Sequence, residues 1–214
     1  MKLNDPFVIT ISREVGSGGR TIGRKLAAKL AVHYSDKQLI DSLKEKFNLT
    51  ASGIEKLKGE KKNWLADFIQ FVAPVPKYQT LAETDGNFAM EFRPEVSVKD
   101  VYEAEKAILN SIADEGSCVI AGRSGFHVFK DHPNALHVFI TASMPNRIER
   151  IMRKQGLTRT EAANLAKGID EARENYIQRF AGVSRYDARN YDLVLNSDGH
   201  TEEQLADLIL SYIG

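Results

Sequence analysis

Phe7-Val8-Ile9-Thr10-Ile11-Ser12-Arg13-Glu14-Val15-Gly16-Ser17-Gly18-Gly19-Arg20-Thr21 is the stretch that decides the fold. Phe7 to Ile11 is β-branched and aromatic and long enough for a buried strand. Glycines between residues 16 and 19 interrupt it, and Ile22, Leu26, Ala27 and Leu30 then fall on one face of a helix. A glycine turn between strand and helix lets several N–H groups point inward, and the helix N-terminus adds partial positive charge, so the segment predicts an anion cradle. A hydroxyl at Thr21 is placed to reach a magnesium ion, as the Ser/Thr of a phosphate-binding loop does. The loop departs from the pattern G-x-x-x-x-G-K-[ST]: its first glycine is missing, and no lysine occurs between Thr10 and Arg24. The cation of the site then falls to Arg20, Arg13 or Arg24, and arginine's long planar fork cannot reproduce lysine's geometry.

Working outward, Ala31-Val32-His33-Tyr34 reads as a second strand ending at Asp36, and residues 37–49 and about 50–73 read as helices. Residues 73–94 are the least regular stretch, with Pro74, Pro76, Gly86 and Pro94 interrupting any long helix. Ser97 with Asp100 resembles a capping box opening a helix that runs toward Gly116. Ser117 to Ala121 is a short buried strand, and Ala135 to Ile140 is another. A helix with Ser143 at its cap and Pro145 in its first turn follows. Thr158-x-x-Glu161 opens a helix reaching toward Phe180. Tyr191 to Asn196 is the last strand, and Glu202 to Ile213 the last helix. Strands alternating with helices predict an α/β, three-layer fold, a parallel sheet flanked by helices within a single domain. Ligands of such sheets sit beyond the carboxyl ends of the strands.

The 29 Lys+Arg cancel the 29 Asp+Glu, so no overall field recruits nucleic acid or an anionic membrane. The single cysteine, Cys118, excludes a disulfide framework, and the five histidines show no metal-ligand spacing. With neither a signal stretch nor 18 consecutive apolar residues, a soluble cytoplasmic protein is expected. Charge is nevertheless clustered: nine arginines fall between residues 123 and 189. Arg123 lies between Gly122 and Ser124 at a strand's carboxyl end, a good place to fork onto phosphate oxygens. Arg147, Arg150 and Arg153 sit three apart on one helix, and Asp170, Arg173 and Tyr176 repeat that spacing. Such a run makes either an anion site or a solvated face with intrahelical pairs such as Glu149–Arg153 or Asp170–Arg173. The stripe of Trp64, Phe68 and Phe71 is read as packing, with an acceptor-base pocket as the alternative.

The run from Ile9 to Gly23, then Lys25-Leu26-Ala27-Ala28-Lys29-Leu30-Ala31 and Tyr34-Ser35-Asp36-Lys37, resembles the start of the cytidylate kinase-like family, a branch of the P-loop nucleoside monophosphate kinases. The resemblance implies a P-loop kinase fold with a helical acceptor-binding region at about residues 37–95 and a helical lid at about 147–180. It implies transfer of the ATP γ-phosphoryl, with Mg²⁺, to a nucleoside monophosphate, a cytidylate-like acceptor being favoured. The partners would be nucleotides or small phosphate acceptors. Arg13, Gly16, Ser17, Gly18, Gly19, Arg20 and Thr21 would hold the donor phosphates, with Thr21 on the metal. Asp36 and Arg123 would position the acceptor, and Arg150, Arg153 and Arg173 would close over the reaction. An ungapped alignment puts Gly19 at the loop lysine; a shift of one puts Arg20 there, and Arg20 is the favoured substitute. Two rivals remain open: a kinase of the same fold for a non-nucleotide acceptor, and a regulatory module that binds nucleotide without catalysis.

Overall fold

The computed structural model describes residues 1–36, 98–122 and 124–214. Strand β1 (Val8–Arg13) leads through the glycine loop into helix α1 (Gly19–Leu30) and strand β2 (His33–Ser35). Helix α2 (Val98–Asp114), strand β3 (Cys118–Ala121), the short helix α3 (Gly125–Val128) and strand β4 (Ala135–Thr141) follow. Helices α4 (Met144–Gln155) and α5 (Arg159–Ala181), strand β5 (Leu193–Asn196) and helix α6 (Glu202–Ile213) complete the described chain. The expected helices at 37–49 and 50–73, the Ser97–Asp100 box and the aromatic stripe lie outside the described residues.

All pairings in the sheet are parallel, in the order β2-β3-β1-β4-β5. Period-two alternation in β1 explains the three layers. Ile9 and Ile11 face α1 and α6 in a core with Ile22, Leu26, Val138 and Ile209. Val8 turns to the opposite face, against Ala104 and Leu109 of α2 and with Cys118. Both faces are covered, as a parallel sheet requires. Helices α4 and α5 form a separate apolar seam through Ile148, Ile151, Ala162 and Ala166. The Thr158 side chain accepts from the Glu161 amide and Glu161 accepts from the Thr158 amide, so the expected capping box starts α5. Among the described residues no helix is long and apolar enough to cross a membrane.

Three expectations shift at element ends. Ala31 belongs to the close of α1, not to a strand: it takes the left-handed conformation (φ 54°) and its amide caps the carbonyls of Ala27 and Ala28. A cap without glycine leaves no local signal. Tyr191 closes a 3-10 turn (Ala188–Asn190), so β5 begins at Leu193. Ser143 stands at the N-cap of α4 without a side-chain capping bond; its amide instead donates to the Asp198 carboxylate at 3.0 Å.

Candidate active site

The carboxyl ends of β1, β2 and β3 converge at one edge of the sheet, where Ile11 is level with Ala121 and Tyr34 with Val119. There the chain leaves β1 through a loop whose Gly16 and Gly18 hold φ of 84° and 86°. Glycine is required at these angles, because other residues pay a steric penalty there. At Gly16 contact matters too: a Cβ would stand 2.7 Å from the Arg147 carbonyl oxygen.

The loop sorts its backbone groups. The carbonyls of Arg13, Val15 and Gly16 face outward onto guanidiniums. Arg147 Nε donates to Val15 O at 2.7 Å, and Arg150 Nη1 donates to Gly16 O at 2.8 Å. Arg185 and Arg173 both donate to Arg13 O. Conversely, the amides of Gly16, Gly18, Gly19 and Arg20 donate to no partner among the described residues. These four residues all line a cleft of about 340 Å³. Four unpaired N–H groups at the N-terminus of α1 make an anion nest. Ser17 departs from expectation. It is fully buried, its amide and hydroxyl both donate to Glu14 O (3.3 and 2.9 Å), and Ser197 donates to its carbonyl. Ser17 therefore braces the loop from within.

Behind the loop, Asp170 of α5 gathers cations. It accepts from Arg147, from Arg185 Nη1 at 3.3 Å and from the Val15 amide at 3.1 Å, with Arg173 Nη1 3.6 Å away. Arg147 also reaches Glu14 Oε1 at 3.1 Å. Of the intrahelical pairs expected, Asp170–Arg173 forms, whereas Glu149 lies 3.9 Å from Arg159. Arg147, Arg185 and Asp170 are all buried and carry the loop's position. The sequence places Arg147 and Asp170 in two spaced runs but gives no signal that joins them to each other or to Arg185, since Asp170 and Arg147 meet only when α4 packs on α5.

Six cations line the cleft, Arg13, Arg20, Arg150, Lys154, Arg173 and Arg185, against two carboxylates, Glu14 and Glu105. Locally the protein is therefore strongly basic although its net charge is zero. Arg20 is half exposed and its Nε bonds Asp36 Oδ2 at 2.6 Å. Asp36, nearly buried, also lies 3.4 Å from Arg13 Nη2. Burial pulls the Arg13 pKa below its ordinary value, with Asp36 opposing; an arginine stays charged regardless. Arg24, the third candidate cation, stacks on the Tyr34 ring with Cζ 5.8 Å from its centroid. Arg150 Nε is buried with no hydrogen-bond partner among the described residues, and Glu202 is 3.6 Å away. On the far wall, Glu105 accepts from Tyr176 Oη at 2.6 Å and from Ser124 Oγ at 3.0 Å, a buried trio that local patterning missed.

Of the lid arginines, Arg150 and Arg173 line the cleft; Arg153 is exposed and outside its wall, because the three-residue spacing carries it around α4. Arg123 lies outside the described residues. For magnesium, Thr21 is among the residues that line the cleft, and no group of three or more His, Cys, Asp or Glu that could hold a metal occurs among the described residues. Arg20 stands where the loop pattern puts its Ser/Thr and offers no lone pair. The residues fit a magnesium carried mainly by phosphates and water, as Mg²⁺ commonly is, with one protein oxygen.

A parallel five-stranded sheet with a glycine loop between its central strand and first helix, facing a basic cleft, defines the P-loop kinase class. The chain belongs to the Cytidylate kinase-like family, whose model matches residues 8–199. It is 25% identical over 203 residues to a cytidylate kinase of Methanosarcina acetivorans, covering 94% of this chain and 93% of that one. It is 29% identical over 154 residues to a uronate isomerase of Corynebacterium glutamicum, covering 71% of this chain and only 29% of that protein's length. Among solved structures, an uncharacterized protein from Eubacterium ventriosum superposes with a TM-score of 0.68 at 20% identity, covering 97% of this chain and 98% of that one. A shikimate kinase from Acinetobacter baumannii superposes at 0.52 and 14% identity, covering 97% and 92% respectively. The family and the cytidylate kinase relative support a kinase-like function, and the solved structures share the fold.

Proposed function

We propose that the protein is an ATP-dependent kinase that transfers the γ-phosphoryl group to a nucleoside monophosphate, with a cytidylate-like acceptor favoured. The observation that carries this reading is the sorting of the loop, with carbonyls tied to arginines and the amides of four cleft-lining residues without a partner among the described residues. Such an array suits the β- and γ-phosphates of a nucleotide. Family membership and the cytidylate kinase relative support the acceptor class, and the basic cleft suits an acceptor that is itself a phosphate.

In this reading an acceptor phosphate oxygen attacks the γ-phosphorus, the bond to the β–γ bridging oxygen breaks, and ADP leaves. The attacking oxygen is already anionic, so no general base is needed. Magnesium, when bound, would be held on the protein side by Thr21 and would neutralise charge on the donor phosphates. The nest amides bind the donor, the Thr21 hydroxyl faces its metal, and Arg150 and Arg173 stand over the phosphates. Arg123, at the end of β3, is assigned to the acceptor phosphate, and Asp36 orients the guanidiniums beside it. The partners are nucleotides rather than nucleic acid, and the cytoplasm, where ATP is supplied, is the compartment that fits.

A coupled ADP-release screen over nucleoside monophosphates and other small acceptors tests the proposal. Release of ADP with CMP or UMP is the expected outcome. Release only with a non-nucleotide acceptor, or MgATP binding without transfer to any acceptor, overturns it.

A further inference from the structure

The sequence breaks the phosphate-loop pattern G-x-x-x-x-G-K-[ST] at three positions, 13, 19 and 20, and two of these concern the loop's cation: arginine replaces the first glycine, at residue 13, and glycine replaces the lysine, at residue 19. In space these are one change. A Cβ built on Gly19 would lie 2.6 Å from Arg13 Cβ, 3.1 Å from Arg13 Cγ and 3.3 Å from Ile140 Cβ. Real Cβ atoms do not approach backbone-anchored carbons that closely. The stem of Arg13 thus fills the space in which a lysine at 19 would begin. On this backbone the loop accepts glycine with lysine, or arginine with glycine, but not both long side chains.

The rest of Arg13 shows where the charge goes. Its guanidinium lies against Gly122 at the end of β3, where a Cβ would stand 1.7 Å from Nη1 and 2.9 Å from Cζ. The side chain runs from Gly19 at the N-terminus of α1 to Gly122 at the end of β3, and Arg13 is among the residues that line the cleft. It is nine-tenths buried, yet its one hydrogen bond among the described residues is a long one, 3.4 Å to Asp36. That carboxylate makes its short bond, 2.6 Å, to Arg20. A guanidinium has five N–H donors, and with one of them on Asp36 the others are available to a ligand in the cleft.

We infer that Arg13 is the phosphate-binding cation of the loop, a catalytic residue that replaces the missing lysine by an exchange between positions 13 and 19. The inference rests on the nucleotide-kinase reading above and sharpens it. Arg20, the substitute favoured by sequence, serves instead to hold Asp36.

The test uses the full chain in four forms: wild type, Arg13→Gly, Gly19→Lys and the double variant Arg13→Gly/Gly19→Lys. Binding of MgATP and of AMP is measured by calorimetry, and folding of each form by circular dichroism. Arg13→Gly should weaken MgATP about 10- to 100-fold, the range for a lost charge-assisted bond, and AMP much less. Gly19→Lys alone should lose MgATP affinity or fail to fold. The double variant should fold and regain at least about tenfold over Arg13→Gly, because the lysine then has room. Wild-type affinity in Arg13→Gly, or a folded double variant no better than Arg13→Gly, overturns the inference. Wild type that binds MgATP but transfers to no acceptor would remove the kinase reading and leave the Arg13 assignment standing.

Discussion

Replacing Asp170 by asparagine should unfasten the phosphate loop from the helices behind it. Asp170 is 5% exposed and serves two guanidiniums, Arg147 and Arg185, whose side chains are also 5% exposed, together with the Val15 amide. Removing one partner of a buried charge cluster costs about 3–5 kcal/mol, because the remaining charges stay desolvated. Asparagine retains one acceptor oxygen, and Arg147 retains Glu14 at 3.1 Å and Val15 O at 2.7 Å, so the lower end of that range, about 3 kcal/mol, is expected. For a chain of 214 residues that loss corresponds to a fall in Tm of about 6–12 °C. Urea unfolding followed by circular dichroism, without nucleotide, measures it, and an unchanged m-value would assign the effect to the native state. Asp187→Asn is the control. Its pairing with Arg189 is a solvent-exposed one and should leave the midpoint where it was. An Asp170→Asn protein with the wild-type midpoint would show that the buried arginines hold the loop without their shared carboxylate, and the account of the loop's rigidity would be wrong.

Two further outcomes follow from backbone geometry and from a half-buried histidine. Gly16→Ala meets both a positive φ and the Arg147 carbonyl 2.7 Å away, whereas Gly156→Ala meets a positive φ with nothing within 4 Å. The first should cost about 2–3 kcal/mol and the second about 1, and equal urea midpoints for the two variants would contradict the clash. His137 is held below its ordinary pKa by burial, against Asp192 and the Phe129 carbonyl, with Thr10 Oγ1 2.8 Å from its Nδ1. The unfolded chain therefore takes up the proton first, so stability should be full above about pH 6.5 and decline as pH falls below it. His137→Gln should flatten that decline in unfolding curves between pH 7 and 5; an identical slope in both proteins would exclude His137 as its source.

The elements of the sheet were legible because each is written locally. β-Branched runs, helical apolar spacing and the Thr158–Glu161 box depend on residues within one or two turns of each other. Chain ends of elements were harder, as at Ala31, where an alanine takes the place that glycine usually marks. The site was half legible. The glycine loop, and its departure from the usual pattern, can be read directly. Which arginine replaces the lysine cannot, because the contact between Arg13 and Gly19 exists only once the loop has folded back on the strand end. Residues 147, 170 and 185 meet across 23 and 15 positions of chain, and no spacing rule links them.

That network also explains why so many arginines crowd one third of a neutral chain. Counting them suggests that all face phosphate; the geometry divides them. Arg147 lies behind the loop and Arg185 between it and the cleft, where their charges are met by Glu14 and Asp170 and their donors capture the carbonyls of Val15 and Arg13. A peptide unit whose carbonyl is held on one side must present its N–H on the other, so Arg147, by holding Val15 O, turns the Gly16 amide away from itself and toward an anion. Arg150 does both, capping Gly16 O with Nη1 while it lines the cleft. The acidic residues behind the loop are part of the same device: Glu14 and Asp170 balance the charge of Arg147 and Arg185, and the amides without a partner among the described residues are left to meet an anion. An anion is then drawn to one end of the sheet rather than spread over the surface, which is what a protein with no net charge needs in order to bind a polyphosphate selectively.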